Sequence, residues 1–212
     1  MATDDPHHDD APPAKGPRPW DDALLALAFL TRLPVPARHD AGPGAIGRAG
    51  WAFPLAGLVV GGAGAGVILA TTGSGLHPLG SALLAFAAMA VLTGALHEDG
   101  LADVADGLGA PDRARRLEIM RDSRTGAFGV LALVFATGLK ATALASLAGP
   151  GVAALVLVAA GALSRAVLVP TMAALTPARA DGLARDAGRP PAWSAGLALA
   201  LGLAALAPLG PA

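Results

Sequence analysis

Apolar and small side chains dominate the stretches 51–70, 79–96, 127–147, 152–175 and 193–209. Each is about 17–24 residues long, the length an α-helix needs to cross a hydrocarbon core of about 30 Å. Five spanning helices are therefore predicted, and the fold class is an all-α, multipass integral membrane bundle. An earlier apolar piece, Ala23 to Leu30, is preceded by Asp21 and Asp22. At about 12 Å of helix it is too short to span, so it is predicted to lie at the interface or to re-enter. The run Thr31-Arg32-Leu33-Pro34-Val35-Pro36 breaks it. Residues 1–20 mix acids, His, Pro and Ala without an apolar period; they read as a disordered tail and lack the layout of a signal peptide. Residues 21–212 read as a single transmembrane helical domain. Within its first span, Gly57 and the run from Gly61 to Gly66 place small residues at helical spacing. They serve either close helix packing or nothing beyond a glycine-rich composition.

Composition agrees with the pattern. Hydrophobic residues make up 54% and charged residues 15% of the 212 positions, against about 25% charged in an ordinary soluble domain, and mean hydropathy is +0.56. The 28 glycines and 18 prolines sit largely in apolar runs, where membrane helices tolerate them. With no cysteine, disulfides, thiolate nucleophiles and Cys-ligated metals are excluded. A formal net charge of −1 provides no field for nucleic acid, and none is expected as a partner.

The charges that do occur are segregated. With five spans, the connections 32–50, 97–126 and 176–192 fall on one side and 71–78 and 148–151 on the other. The first group holds eleven arginines, the second no Lys or Arg. This asymmetry places the charged loops in the cytoplasm, with Lys15 and Arg18 beside them. Lys140 and Arg165 are left inside spans, where an ionisable group faces a bundle interior or wet cavity, or snorkels.

The chemistry is concentrated between the second and third spans. Wound as a helix from His97 to Gly109, Asp99, Asp103 and Asp106 fall within about 60° of one another. Like charges at these spacings repel, and three oxygen ligands beside a membrane surface suit Mg²⁺, which binds a few carboxylates together with substrate phosphates. A merely solvated acidic face is the other reading. His97 falls on the opposite side of the helix, and Glu98 diverges from the stripe. Asp112 then caps a short helix with an apolar stripe of Leu117 and Met120, which Gly126 is expected to end. Of the five arginines that follow Pro111, Arg121 and Arg124 flank Asp122 just before a span, and guanidinium forks there match phosphate oxygens. Carboxylates for a metal beside arginines for phosphate equip a site for phosphoryl transfer. No Gly-Lys-Ser/Thr phosphate loop accompanies them.

Four segments in order, Phe29–Pro36, Phe53–Gly57, His97–Gly107 and Glu118–Gly129, followed by Ser164-Arg165, Ala178-Arg179 and Asp181-Gly182-Leu183, closely resemble the adenosylcobinamide-GDP ribazoletransferase (cobalamin synthase) family. The resemblance implies a multipass inner-membrane enzyme that joins a corrinoid-GDP, adenosylcobinamide-GDP, to α-ribazole or its 5′-phosphate, releases GMP and uses Mg²⁺. Asp99, Asp103 and Asp106 would hold the metal. Arg121, Arg124, Arg32 and Arg165 would bind substrate phosphate, and Asp122 or Asp106 would take the proton from the ribazole hydroxyl. Glu98 stands where the family carries a hydrophobe, and the family's C-terminal Thr-Gly-Asp segment is not found before Ala212, so a shortened C-terminus is expected. Another Mg²⁺-dependent transferase of the CDP-alcohol kind, or a transporter, are the alternatives. A homo-oligomer is left open.

Overall fold

In the computed structural model, residues 18–37 and 42–210 are described. Most of the expected tail, residues 1–17, lies outside them, as does Arg38. The rest of that tail corrects the expectation, because Pro19 and Trp20 already belong to helix α1 (Pro19–Leu30). Pro19 sits in the first turn, where its missing N–H costs nothing. Among the described residues there is no strand.

After α1 come the single turn α2 (Ala45–Arg48), a 3-10 turn over Ala49–Ala52, and α3 (Phe53–Ala70). Then follow α4 (Pro78–Thr93), α5 (Leu96–Leu108), α6 (Arg113–Ile119), α7 (Ala127–Ala145), α8 (Pro150–Ala174), α9 (Leu183–Ala187) and α10 (Ala192–Ala204). Four continuous helical runs are long and apolar enough to cross a membrane: Ala45–Ala70, Ala127–Ala145, Pro150–Ala174 and Ala192–Leu209.

The expected span 79–96 differs. It stops at Thr93, and α4 meets α5 at 94°. The cause is local: Gly94 and Ala95 both take left-handed backbone, with φ of 66° and 56°, which a continuing helix cannot contain. Ala95 is the one non-glycine residue with positive φ among those described.

The centre of the bundle is the pair α3 and α8. A Cβ added at Gly57 would land on the carbonyl of Gly161, one at Gly61 on the carbonyl of Leu157, and one at Gly161 on the carbonyl of Gly57. Gly62 and Gly66, on the other faces, meet open space. Gly57, Gly61 and Gly161 therefore form a backbone-to-backbone seam, the means of helix association where lipid offers no hydrophobic drive. Around it Ala26, Leu30, Phe53, Val169 and Ala198 form one buried cluster and Ile68, Ala85, Ala141 and Leu157 another. Phe29 and Phe53 stack at 5.7 Å. The outer faces of α4 and α7, with Leu84, Val91, Val134 and Phe135, remain exposed, as lipid-facing surfaces do.

The charged connections gather at one end. Gly47 packs against the carbonyl of Gly188, and Arg121 bonds to Asp181, so 42–50, 97–126 and 176–189 share a surface. Ser194, fully buried, ties this end together: its hydroxyl accepts from the Trp51 amide at 2.8 Å and donates to the Arg48 carbonyl at 3.1 Å. Asp22 is buried beside it and accepts from the Trp51 indole at 3.1 Å. These anchors had no signal in the hydrophobic pattern.

Candidate active site

The elbow at Gly94 decides where the acids go. The Arg32 amide donates to the Leu92 carbonyl at 2.7 Å, and the Arg32 side chain lies over Gly94 where a Cβ would collide with it. Arg32 is thus placed at the start of α5, which turns off the α4 axis and lies across the arginine-bearing end. The acids of α5 follow the expected stripe. Asp99 is exposed, and Asp103 and Asp106 are half-buried. Desolvation pushes the Asp103 carboxyl above its ordinary range, the charges of Asp99 and Asp106 push it further, and Arg179 opposes them. That repulsion is what a cation would relieve. Among the described residues no three acids or histidines converge into a ready cage. Two carboxylates together with substrate phosphate can hold Mg²⁺, and Asp99 and Asp103 stand one helical turn apart on α5.

Asp106 is differently employed. One of its carboxylate oxygens accepts from the Gly126 amide at 2.7 Å and the other from the Gly129 amide at 2.8 Å. It caps the first turn of α7 from another helix, satisfying orphan N–H groups and opposing the helix dipole. A Cβ at Gly126 would come within 2.5 Å of the carboxylate, and one at Gly129 would overlap it. Both glycines are therefore required by the carboxylate's approach. Gly126 begins α7; it does not end α6, as the sequence suggested. Asp112 caps α6 as expected, accepting from the Arg115 amide at 2.8 Å.

The arginines are already partnered. Arg121 bonds to both oxygens of Asp181, at 2.7 and 2.9 Å, with Arg179 3.9 Å from the same carboxylate. Arg124 clasps Asp122 at 2.6 Å, and its hydrogen bonds hold the Asp122 carboxyl down to about 2. Arg165 and Lys140 are not part of this surface. Arg165 lines a cavity of about 500 Å³ with Lys140, His97 and Glu98, and the Lys140 ammonium stands 5.5 Å from the Phe86 ring centre.

Residues 22–211 match the family described as cobalamin-5-phosphate synthase. The chain belongs to that family. It is 51% identical over 182 residues to the adenosylcobinamide-GDP ribazoletransferase of Bradyrhizobium diazoefficiens, covering 85% of this chain and 70% of the relative. To those of Sinorhizobium medicae and Allorhizobium ampelinum it is 46% and 48% identical, covering 87% of this chain and 72% and 73% of theirs. No solved structure matches.

In this family member, then, the structure gathers Asp99, Asp103, Asp106, Asp122, Arg121, Arg124 and Arg32 at one end of the bundle and sets Arg165 apart. It adds Arg179 and Asp181, which sequence reasoning quoted as part of a motif without a role. Their signal was an Arg-x-Asp-Gly run in a loop on the same side as the acids.

Proposed function

We propose that the chain transfers the phosphocobinamide group of adenosylcobinamide-GDP to a ribose ring hydroxyl, free in both α-ribazole and its 5′-phosphate, releasing GMP. The observation that carries this reading is the apposition of the Asp99–Asp103 face to the Arg179–Asp181–Arg121 chain, which sets carboxylates for a cation beside guanidinium groups for phosphate. The relatives' shared name supplies the substrates. The arginine asymmetry supports an inner-membrane setting with this end in the cytoplasm.

Asp99 and Asp103 would hold a Mg²⁺ ion, whose chemistry there would be neutralisation of phosphate charge. The chain's own residues do the rest. The donor's phosphates draw Arg121 from Asp181 and Arg124 from Asp122. Exposed ion pairs of this kind are worth at most about 1 kcal/mol, whereas a bidentate guanidinium–phosphate contact is among the stronger hydrogen-bonded pairs. Once Arg124 leaves, the Asp122 carboxylate loses the bonds that depress its proton affinity and becomes the better base. Asp122 accepts the proton of the ribazole hydroxyl as that oxygen bonds to the phosphorus attached to cobinamide. The bond from this phosphorus to the bridging oxygen breaks, and its electron pair departs on GMP. Asp106 keeps α5 against α7 throughout.

The test is GMP release by the purified chain in lipid nanodiscs, supplied with adenosylcobinamide-GDP and α-ribazole. Release that depends on both substrates and on Mg²⁺ is the expected result, with Asp103→Asn inactive at unchanged abundance. Turnover of a CDP-alcohol in place of the corrinoid donor, or full activity in Asp103→Asn, would overturn the reading.

A further inference from the structure

Beside the charged end lies a cavity of about 470 Å³, within the usual size of a small-molecule site. Its walls come from six helices and the loop before α9, among them Phe29 of α1, Phe53 of α3, Leu117 of α6 with Met120 at that helix's C-terminal end, and Met172 of α8. Arg179 and Asp181 also line it. Arg179 is the residue whose charge reaches Asp103, and Asp181 is the one that holds Arg121. One cavity is thus oily over most of its surface and charged where it meets the aspartate face. His97 is a further lining residue, shared with the cavity that contains Arg165. Neither of its ring nitrogens has a hydrogen-bond partner among the described residues.

We propose, resting on the transferase reading above, that this cavity seats the dimethylbenzimidazole of the acceptor, with the ribose directed toward Arg179 and the Asp99–Asp103 face. Three groups in the reaction could compete for it. Guanine carries donors and acceptors around its edge, and against carbon walls they would go unpaired at a large cost. The corrin ring, studded with amides, is too large and too polar. A benzimidazole bearing two methyls is flat and apolar, and its glycosidic bond leaves one ring nitrogen without a substituent. The unpartnered His97 is the polar group available to that nitrogen. Methionines on two sides fit an aromatic plate, since the thioether is adaptable and favours aromatic contacts. The site would thereby separate its substrates by polarity, with the donor held by charge and the acceptor's base by carbon.

The test uses the whole 212-residue chain in nanodiscs with two readouts. Equilibrium binding of labelled α-ribazole is measured without donor, and GMP release is measured with each substrate varied in turn. Met172→Trp, which fills the cavity, is expected to weaken α-ribazole binding and raise its KM by about tenfold or more, equivalent to about 1.4 kcal/mol, while the KM for adenosylcobinamide-GDP stays unchanged. The near-isosteric Met172→Leu restores binding, which separates filling from misfolding. His97→Phe lowers α-ribazole affinity without moving the donor's KM. If folded Met172→Trp raises the donor's KM instead, or binds α-ribazole as the parent does, the subsite is wrong. If the parent chain binds α-ribazole with this Met172 dependence yet releases no GMP, the transferase reading fails and the subsite stands.

Discussion

The fit of the Asp106 carboxylate against Gly129 of α7 can be measured by a double-mutant cycle. Asp106→Ala removes an anionic acceptor from the Gly126 and Gly129 amides, bonded at 2.7 and 2.8 Å. Loss of a helix cap costs about 0.5–2 kcal/mol, and the buried Gly129 amide left without a partner adds about 1–3 kcal/mol. A total of about 3 kcal/mol corresponds to a fall in melting temperature of about 6–12 °C in a chain of this size. Gly129→Ala attacks the same contact from the other side. Its Cβ overlaps the carboxylate and would also lie 2.9 Å from Thr125 Cγ2 and 3.1 Å from the Ala102 carbonyl. Eviction of the carboxylate dominates over the gain of about 1 kcal/mol that alanine brings to a helix, so the single variant melts lower. In the Asp106→Ala background there is no carboxylate to evict, and adding Gly129→Ala should cost little or raise the melting temperature. Circular dichroism of the solubilised protein at 222 nm follows the transition for all four members. Equal losses from Gly129→Ala in both backgrounds would refute the argument, because the space would then be needed by something other than Asp106.

Arg121→Ala should lower kcat/KM for the donor by about tenfold or more while leaving melting within about 1 °C, since an exposed ion pair adds little stability; steady-state kinetics beside a melt separate the two. Asp122→Asn should reduce kcat by about 10²–10⁴ with donor affinity retained, as measured by single-turnover GMP release. Asp122 has a carboxyl depressed to about 2 in the folded state, so its contribution to stability is present at neutral pH and is lost as pH falls from about 4 toward 2. Arg124→Gln removes this acid sensitivity, which acid titration of helicity checks. The raised carboxyl of Asp103 has the opposite sense: it holds its proton to a higher pH than an ordinary aspartate, so a Mg²⁺ ion held there as proposed would compete with a proton. The Mg²⁺ concentration needed for half-maximal GMP release should therefore rise as the medium is acidified, and Asp99→Asn should shift that rise to lower pH.

The five apolar runs, the acidic stripe and the cap at Asp112 were legible because each depends on periodicity or on a residue's neighbours in sequence. The break at Gly94 was not, because an isolated glycine at the end of an apolar run is as common in membrane helices as in turns, and Ala95 adopts left-handed backbone against its own preference. Asp106 lies on the helix face the periodicity predicts, but its bonds to α7 span 20 and 23 residues, and the spacing of Gly126 and Gly129 alone does not say what fills the space above them. The ion pairs of Arg121 and Arg124 were equally opaque. A sequence shows that guanidinium groups are available, whereas only the fold shows which carboxylates occupy them at rest. Arg165 went the other way. It lies in a motif, and the fold carries it to a different cavity.

That resting occupancy bears on selectivity in a cell crowded with nucleotides. Because Arg121 and Arg124 are each clasped by a carboxylate, a polyanion that docks on these two must displace an internal counter-ion from each. A monophosphate can compete for one guanidinium and gains too little to free both. A diphosphate can take both at once, and its second exchange is made easier by the first. Such a threshold would filter abundant monophosphates, GMP among them, and so favour departure of the spent nucleotide over its retention.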